Sequence, residues 1–121
     1  MGLDGNNDPF CRKPFPWNKD QQDLGLLALY QRLGQLRHKS RALRHGGCQV
    51  IYAQGDVVIF VRVWQNERVL VALNRGEETA LTLPWDPLLT DKDWTRLEGK
   101  AKFENRELSL PAVSVALWHS L

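Results

Sequence analysis

The sequence predicts a mainly β chain, one amino-terminal helix followed by an antiparallel β-sandwich of about seven strands. Three observations carry this. From residue 48 onward, short Val-, Ile- and Leu-rich runs recur between turn signals. No helical periodicity interrupts them, which excludes a βαβ pattern. Before them lies one stretch whose apolar residues recur at helical spacing. Composition agrees, because 121 residues that are 43% hydrophobic and 25% charged can bury a core without disulfide or metal staples.

Residues 1–20 read as irregular. Asp8-Pro9, Lys13-Pro14 and Phe15-Pro16 each push the residue before proline into extended backbone. Gly2, Gly5, Asn6 and Asn7 add turn chemistry. Phe10, Phe15 and Trp17 are too apolar for a free tail, so this loop is expected to pack against something. The helix is expected over about residues 20–39, with Asp20 or Asp23 as its cap. Leu26, Leu27, Tyr30, Leu33 and Leu36 form its stripe, and Leu24, Ala28 and Leu29 widen it, so burial on more than one side is expected. Residues 37–43 end the helix and Gly46-Gly47 stop it. Strands are expected at 50–53, 57–63, 69–73, 79–83, 94–97, 102–103, 107–110 and 113–118, with Gln65-Asn66-Glu67 as a hairpin loop.

Several function classes are excluded or disfavoured by residue chemistry. No apolar run exceeds five residues, too few to span a bilayer, and residues 1–8 lack the basic and apolar regions of a secretory signal. Cys11 and Cys48 have no metal spacing and read as reduced thiols in a cytoplasmic protein, with one disulfide left open. Between Asp23 and Asp56 the only charged residues are Arg32, Arg37, Lys39, Arg41 and Arg44. Cations clustered where a helix ends complement its dipole, and no nucleic-acid motif accompanies them, so no nucleic-acid partner is expected. His38 and His45 fit the same role, and His119 is expected to be solvated near the carboxyl end. No phosphate loop, nucleophile elbow or metal cluster is present, so no cofactor, metal or catalytic residue is assigned.

One segment stands apart, Asp8-Pro9-Phe10-Cys11-Arg12 followed by Lys13-Pro14-Phe15-Pro16-Trp17. A carboxylate and a guanidinium four residues apart in a Pro-stiffened loop can present an acceptor and a fork of donors to the vicinal hydroxyls of a sugar. The competing reading is a salt bridge that merely fixes the loop.

This segment, from Gly5 to Trp17, resembles the late loop of the α-amylase superfamily, glycoside hydrolase family 13, in its maltodextrin glucosidase and neopullulanase/cyclomaltodextrinase branch. There an Asp-Pro-x-x-Arg-x-Pro-x-x-Trp segment precedes the last barrel helix. Leu29-Tyr30 through Leu36-Arg37, then Ala42-Leu43-Arg44 and Gly46, look like that helix and its exit. Residues 69–76, Val-Leu-Val-Ala-Leu-Asn-Arg-Gly, are similar to the family's carboxyl-terminal domain. Ser40, where many relatives carry Pro, and Phe15, where many carry Met, are minor departures.

The resemblance implies two domains: residues 1–45 as the end of a (β/α)8 barrel, with its last helix at about 20–39, and residues 46–121 as a β-sandwich. It implies a maltodextrin substrate cleaved with retention at α-1,4-glucosidic bonds, releasing glucose, and an upstream catalytic barrel as partner. Asp8 and Arg12 match residues that hydrogen-bond a glucosyl unit in the minus subsites, and Lys13 has a weaker claim. The catalytic carboxylates of the family lie upstream of this loop, and no His-Asp dipeptide occurs here, so the chain by itself is expected to be inactive. The alternative is a glucan-binding or dimerising sandwich without catalysis. In that case Trp64, Trp85 or Trp94 would meet glucan, although packing is the commoner role of such residues. The helix, without a barrel to cover it, would pair with a second copy.

Overall fold

The computed structural model describes residues 5–9, 11–89 and 93–121. The chain separates into two compact units, Met1–Lys39 and Ser40–Leu121.

In the first unit, a short 3₁₀ turn at Lys19–Gln21 precedes α1, Leu24–Lys39. Asn18 caps the turn, its side chain accepting from the Asp20 N–H. Asp23 caps α1, its Oδ1 accepting the Leu26 N–H at 2.9 Å, one of the two caps expected. The helix therefore starts later than residue 20. Leu26, Leu27, Leu33 and Leu36 are half-buried, whereas Tyr30, expected on the same stripe, is exposed. Arg37, His38 and Lys39 occupy the last turn, where positive charge suits the helix dipole.

The helix ends at Lys39, where the end was expected, and the second unit begins with a break. Ser40 leaves helical geometry, with φ −89° and ψ 123°, and caps a separate short helix, α2, Arg41–His45. Among the described residues eight strands follow: β1 (Gly47–Gln54), β2 (Val57–Trp64), β3 (Glu67–Asn74), β4 (Thr79–Thr82), β5 (Thr95–Glu98), β6 (Lys102–Glu104), β7 (Glu107–Leu110) and β8 (Ser114–Ser120). They form two antiparallel sheets, ordered β1-β2-β3-β8-β5 and β4-β7-β6.

The sandwich follows from pleating. On β2, Val57, Ile59 and Val61 point inward, and their register partners Asn74, Ala72 and Leu70 carry that face across β3. Ala116 and Trp118 continue it on β8, and Leu108 and Leu110 of β7 answer from the smaller sheet. Trp94, Phe103 and Trp118 form an edge-to-face row, with ring centroids 6.1 and 5.7 Å apart. β3 does not alternate, because Val69 and Val71 on its outer face are buried too. The helix α2 packs on β2 and β3 on that side, with Ala42 fully buried.

The connections are tied by polar groups. Asn74, almost fully buried, donates to Glu77 O at 2.8 Å and Pro111 O at 3.0 Å and accepts from Gly76 N at 3.0 Å. One side chain thus closes the β3–β4 link onto the turn before β8. The β6–β7 hairpin turns through Asn105 and Arg106, both with positive φ, 50° and 68°, as tight two-residue hairpins favour.

Candidate functional site

The Asp8–Arg12 pair predicted from spacing forms. The Pro9 carbonyl accepts the Arg12 N–H at 3.0 Å, which turns the chain and returns the Arg12 side chain to Asp8. Arg12 Nε lies 2.8 Å from Asp8 Oδ1, and Nη2 donates to Asp8 Oδ2 at 3.2 Å, a two-pronged ion pair. Cys11 Sγ sits 3.9 Å from the same Oδ1. The Asp8 and Arg12 side chains are 61% and 77% exposed, so the ion pair contributes little to stability. Among the described residues, the Nη1 hydrogens and one Nη2 hydrogen of Arg12 have no further partner. Farther along, Phe15 and Trp17 meet edge to face at 4.8 Å, and Gln22 Nε2 donates to Pro16 O at 2.7 Å. Lys13 is exposed. Phe10 lies outside the described residues.

A second polar cluster was not read from the sequence. Glu67, expected in a hairpin loop, instead opens β3, and its carboxylate receives the start of α2. Ser40 Oγ donates to Oε1 at 2.6 Å, and the Arg41 and Ala42 N–H groups donate to Oε2, each at 3.1 Å. Ser40 Oγ in turn accepts the Leu43 N–H at 3.1 Å. His119 Nε2 is 3.4 Å from Glu67 Oε1 and its side chain is 28% exposed, so His119 is partnered rather than solvated. Burial raises the Glu67 pKa. The Ser40 hydroxyl, the Ala42 N–H, the His119 charge and the Arg41 N–H outweigh it and hold the carboxyl below its ordinary 4.5. This cluster braces the helix onto the sheet. The signal for it was Ser40 itself, a good N-cap residue at a position singled out only as a departure.

The remaining candidates separate by their surroundings. Trp94 donates from Nε1 to Leu89 O at 3.3 Å and packs on the core, the structural role expected. Trp64 faces His45, with centroids 5.7 Å apart. Trp85 is 66% exposed and makes no ring contact among the described residues. Cys11 and Cys48 are free and exposed. No group of metal-holding side chains occurs among the described residues, and no helix there is long and apolar enough to cross a membrane.

The fold of this chain is shared with solved carbohydrate-active enzymes. A cyclomaltodextrinase superposes with a TM-score of 0.76 at 29% identity over 99% of this chain and 21% of its own. The debranching enzyme of Nostoc punctiforme does so with a TM-score of 0.79 at 28% identity over 92% of this chain and 24% of its own. The eight strands and the principal helix thus define the carboxyl-terminal sandwich region of glycoside hydrolase family 13.

Sequence comparison narrows the class. Neopullulanase 2 of Thermoactinomyces vulgaris is 32% identical over 130 residues, covering 98% of this chain and 22% of that protein. A cyclomaltodextrinase of Geobacillus thermopakistaniensis is 34% identical over 89 residues, covering 71% of this chain and 15% of that protein. No family model matches. The chain belongs to family 13, matching the carboxyl-terminal part of its neopullulanase, cyclomaltodextrinase and maltogenic amylase members. It spans about a fifth of the length of the first of these relatives.

Proposed function

We propose that this chain is the carboxyl-terminal part of a maltodextrin glucosidase, which hydrolyses α-1,4-glucosidic bonds of short maltodextrins with retention and releases glucose. In this reading residues 1–45 complete the catalytic barrel, with α1 as its last helix, and residues 46–121 are the closing sandwich. Asp8 and Arg12 hold a glucosyl unit in the minus subsites: the carboxylate accepts from sugar hydroxyls and the free guanidinium hydrogens donate to them. Sugar contacts remote from the cleaved bond lower the barrier when they tighten as the ring distorts.

The observation that carries the reading is the two-pronged Asp8–Arg12 pair, assembled yet largely open to solvent. The loop motif around it and the similarity to a neopullulanase and cyclomaltodextrinases support the substrate class. Exposed free thiols at Cys11 and Cys48 agree with a cytoplasmic setting.

The catalytic acids belong to the barrel, so the 121-residue chain alone performs no hydrolysis. Incubation of the chain with maltotriose should release no glucose above background, and measurable turnover overturns the assignment. A further part of the proposal is that copies of the 121-residue chain by itself, apart from the barrel, associate through α1, which buries none of its own residues. Light scattering that gives a monomer at high concentration refutes that part.

A further inference from the structure

The segment between β4 and β5 holds a tryptophan that the fold does not use. Leu83 and Leu89, 1% and 4% exposed, anchor its first half in the core. Between them runs Pro84-Trp85-Asp86-Pro87-Leu88, where the two prolines fix φ at their own positions and restrict the residue before each.

Asp86 then locks the bend. Its Oδ1 accepts the Leu88 N–H at 2.8 Å, its carbonyl accepts the Leu89 N–H at 2.9 Å, and its Oδ2 accepts from Gln49 Nε2 of β1 at 3.1 Å. A loop this constrained cannot easily fold its tryptophan away, and Trp85 stays 66% exposed.

We propose that Trp85 is a stacking platform for one glucosyl ring of an α-glucan, with the Gln49 side chain hydrogen-bonding the hydroxyls at its rim. The inference rests on the reading of the chain as part of a maltodextrin-acting enzyme. A pyranose ring has a flat apolar C–H face bounded by hydroxyls. The exposed Trp85 ring offers a flat face, and the next residue, Asp86, holds the Gln49 amide of β1, a pairing that complements that combination.

A protein partner would instead call for a broad apolar patch, and the neighbours here are a proline on one side and an aspartate on the other. Gln49 spends one amide hydrogen on Asp86 and keeps Oε1 and its second hydrogen. Because the loop is already ordered, binding costs little conformational entropy.

The test is affinity electrophoresis of the 121-residue chain through gels containing soluble starch, with dextran gels as the linkage control. Starch should retard the chain and dextran should not. W85A should weaken starch binding by about tenfold, W85F less, and Q49A by roughly threefold, on the scale of one aromatic stack and one hydrogen bond. W85A should unfold at the same urea midpoint as wild type, because it alters a surface side chain.

Three results overturn the proposal: equal retardation of W85A and wild type, no retardation of wild type by starch, or self-association of the wild type that W85A abolishes. The last would assign Trp85 to a second copy. None of these touches the proposed hydrolysis, which is read separately as glucose release by the complete enzyme.

Discussion

The Ser40 hydroxyl and the Glu67 carboxylate lie 27 positions apart in the chain and meet at 2.6 Å. Through this contact the first residue of β3 finishes a helix it does not belong to. Ser40 caps α2 from within, taking the Leu43 N–H, while Glu67 takes the two N–H groups before it. The open donors of a helix start are shared between a local hydroxyl and a distant carboxylate, and negative charge sits at the positive end of the dipole.

Removing that carboxylate should be costly. Glu67 is only 15% exposed, so E67A strands the Ser40 hydroxyl and two backbone donors with limited access to water. A loss of about 2 kcal/mol is expected, read from urea unfolding. S40A, which leaves both backbone bonds to Glu67 intact, should cost about 1 kcal/mol. Equal midpoints for wild type and E67A would show that the cluster is ornamental.

The same site sets a pH dependence. The folded pKa of Glu67 is depressed, so the folded state holds its proton less tightly than the unfolded chain does. Its contribution is complete above the ordinary value of 4.5 and is lost as pH falls through the lowered value. The stability difference between wild type and E67Q, measured in urea from pH 7 to pH 3, should therefore shrink below about pH 4.5. A difference that stays constant over this range contradicts the depressed pKa.

For Asp8 and Arg12, function and stability should part company. Both side chains are mostly exposed, so D8A and R12A should change unfolding stability by less than about 1 kcal/mol. In the complete enzyme each should lower kcat/KM for maltotriose by roughly tenfold to a hundredfold, the range of one or two charged hydrogen bonds. Unchanged kinetics in both variants would remove the loop from the substrate site.

Val113 offers a gain. It is β-branched, 79% exposed and held at φ +43°, where a side chain branched at Cβ is strained. Its N–H donates to Gly76 O at 3.0 Å, which any residue other than proline could do. V113N should raise stability by about 1 kcal/mol, because asparagine tolerates the left-handed region. A lower thermal midpoint for V113N would mean that the Val113 side chain makes a contribution its exposure conceals.

How far the sequence could be read depended on how local the cause was. The strand 107–110 was placed to the residue, and β2 and β3 nearly so, because apolar pattern and turn residues lie within each segment. β1 begins earlier than expected, at Gly47, since its first residues become strand only by pairing with Val61, Arg62 and Val63. The helix start at Asp23 is a local cap and was legible. The helix end at Lys39 was legible too, whereas the separate short helix after Ser40 was not, because its start is completed by Glu67 from the sheet. Likewise the Asp8–Arg12 fork needs only four residues of chain, whereas the partnering of His119 needs the β3–β8 register.

One of the two edge strands of the larger sheet, β1, is kinked. Along β1 the register slips between Val50 and Tyr52, so Ile51 is an extra residue and both Ile51 and Tyr52 lean on the core. That kink interrupts the row of unsatisfied amides that a rim strand would otherwise offer to passing chains. Deleting Ile51 would straighten the ribbon while leaving Cys48 and Val50 on the face where they already pair with Arg62 and Phe60. The price would be stickiness rather than disorder, and fibrils seeded at this margin would be its signature.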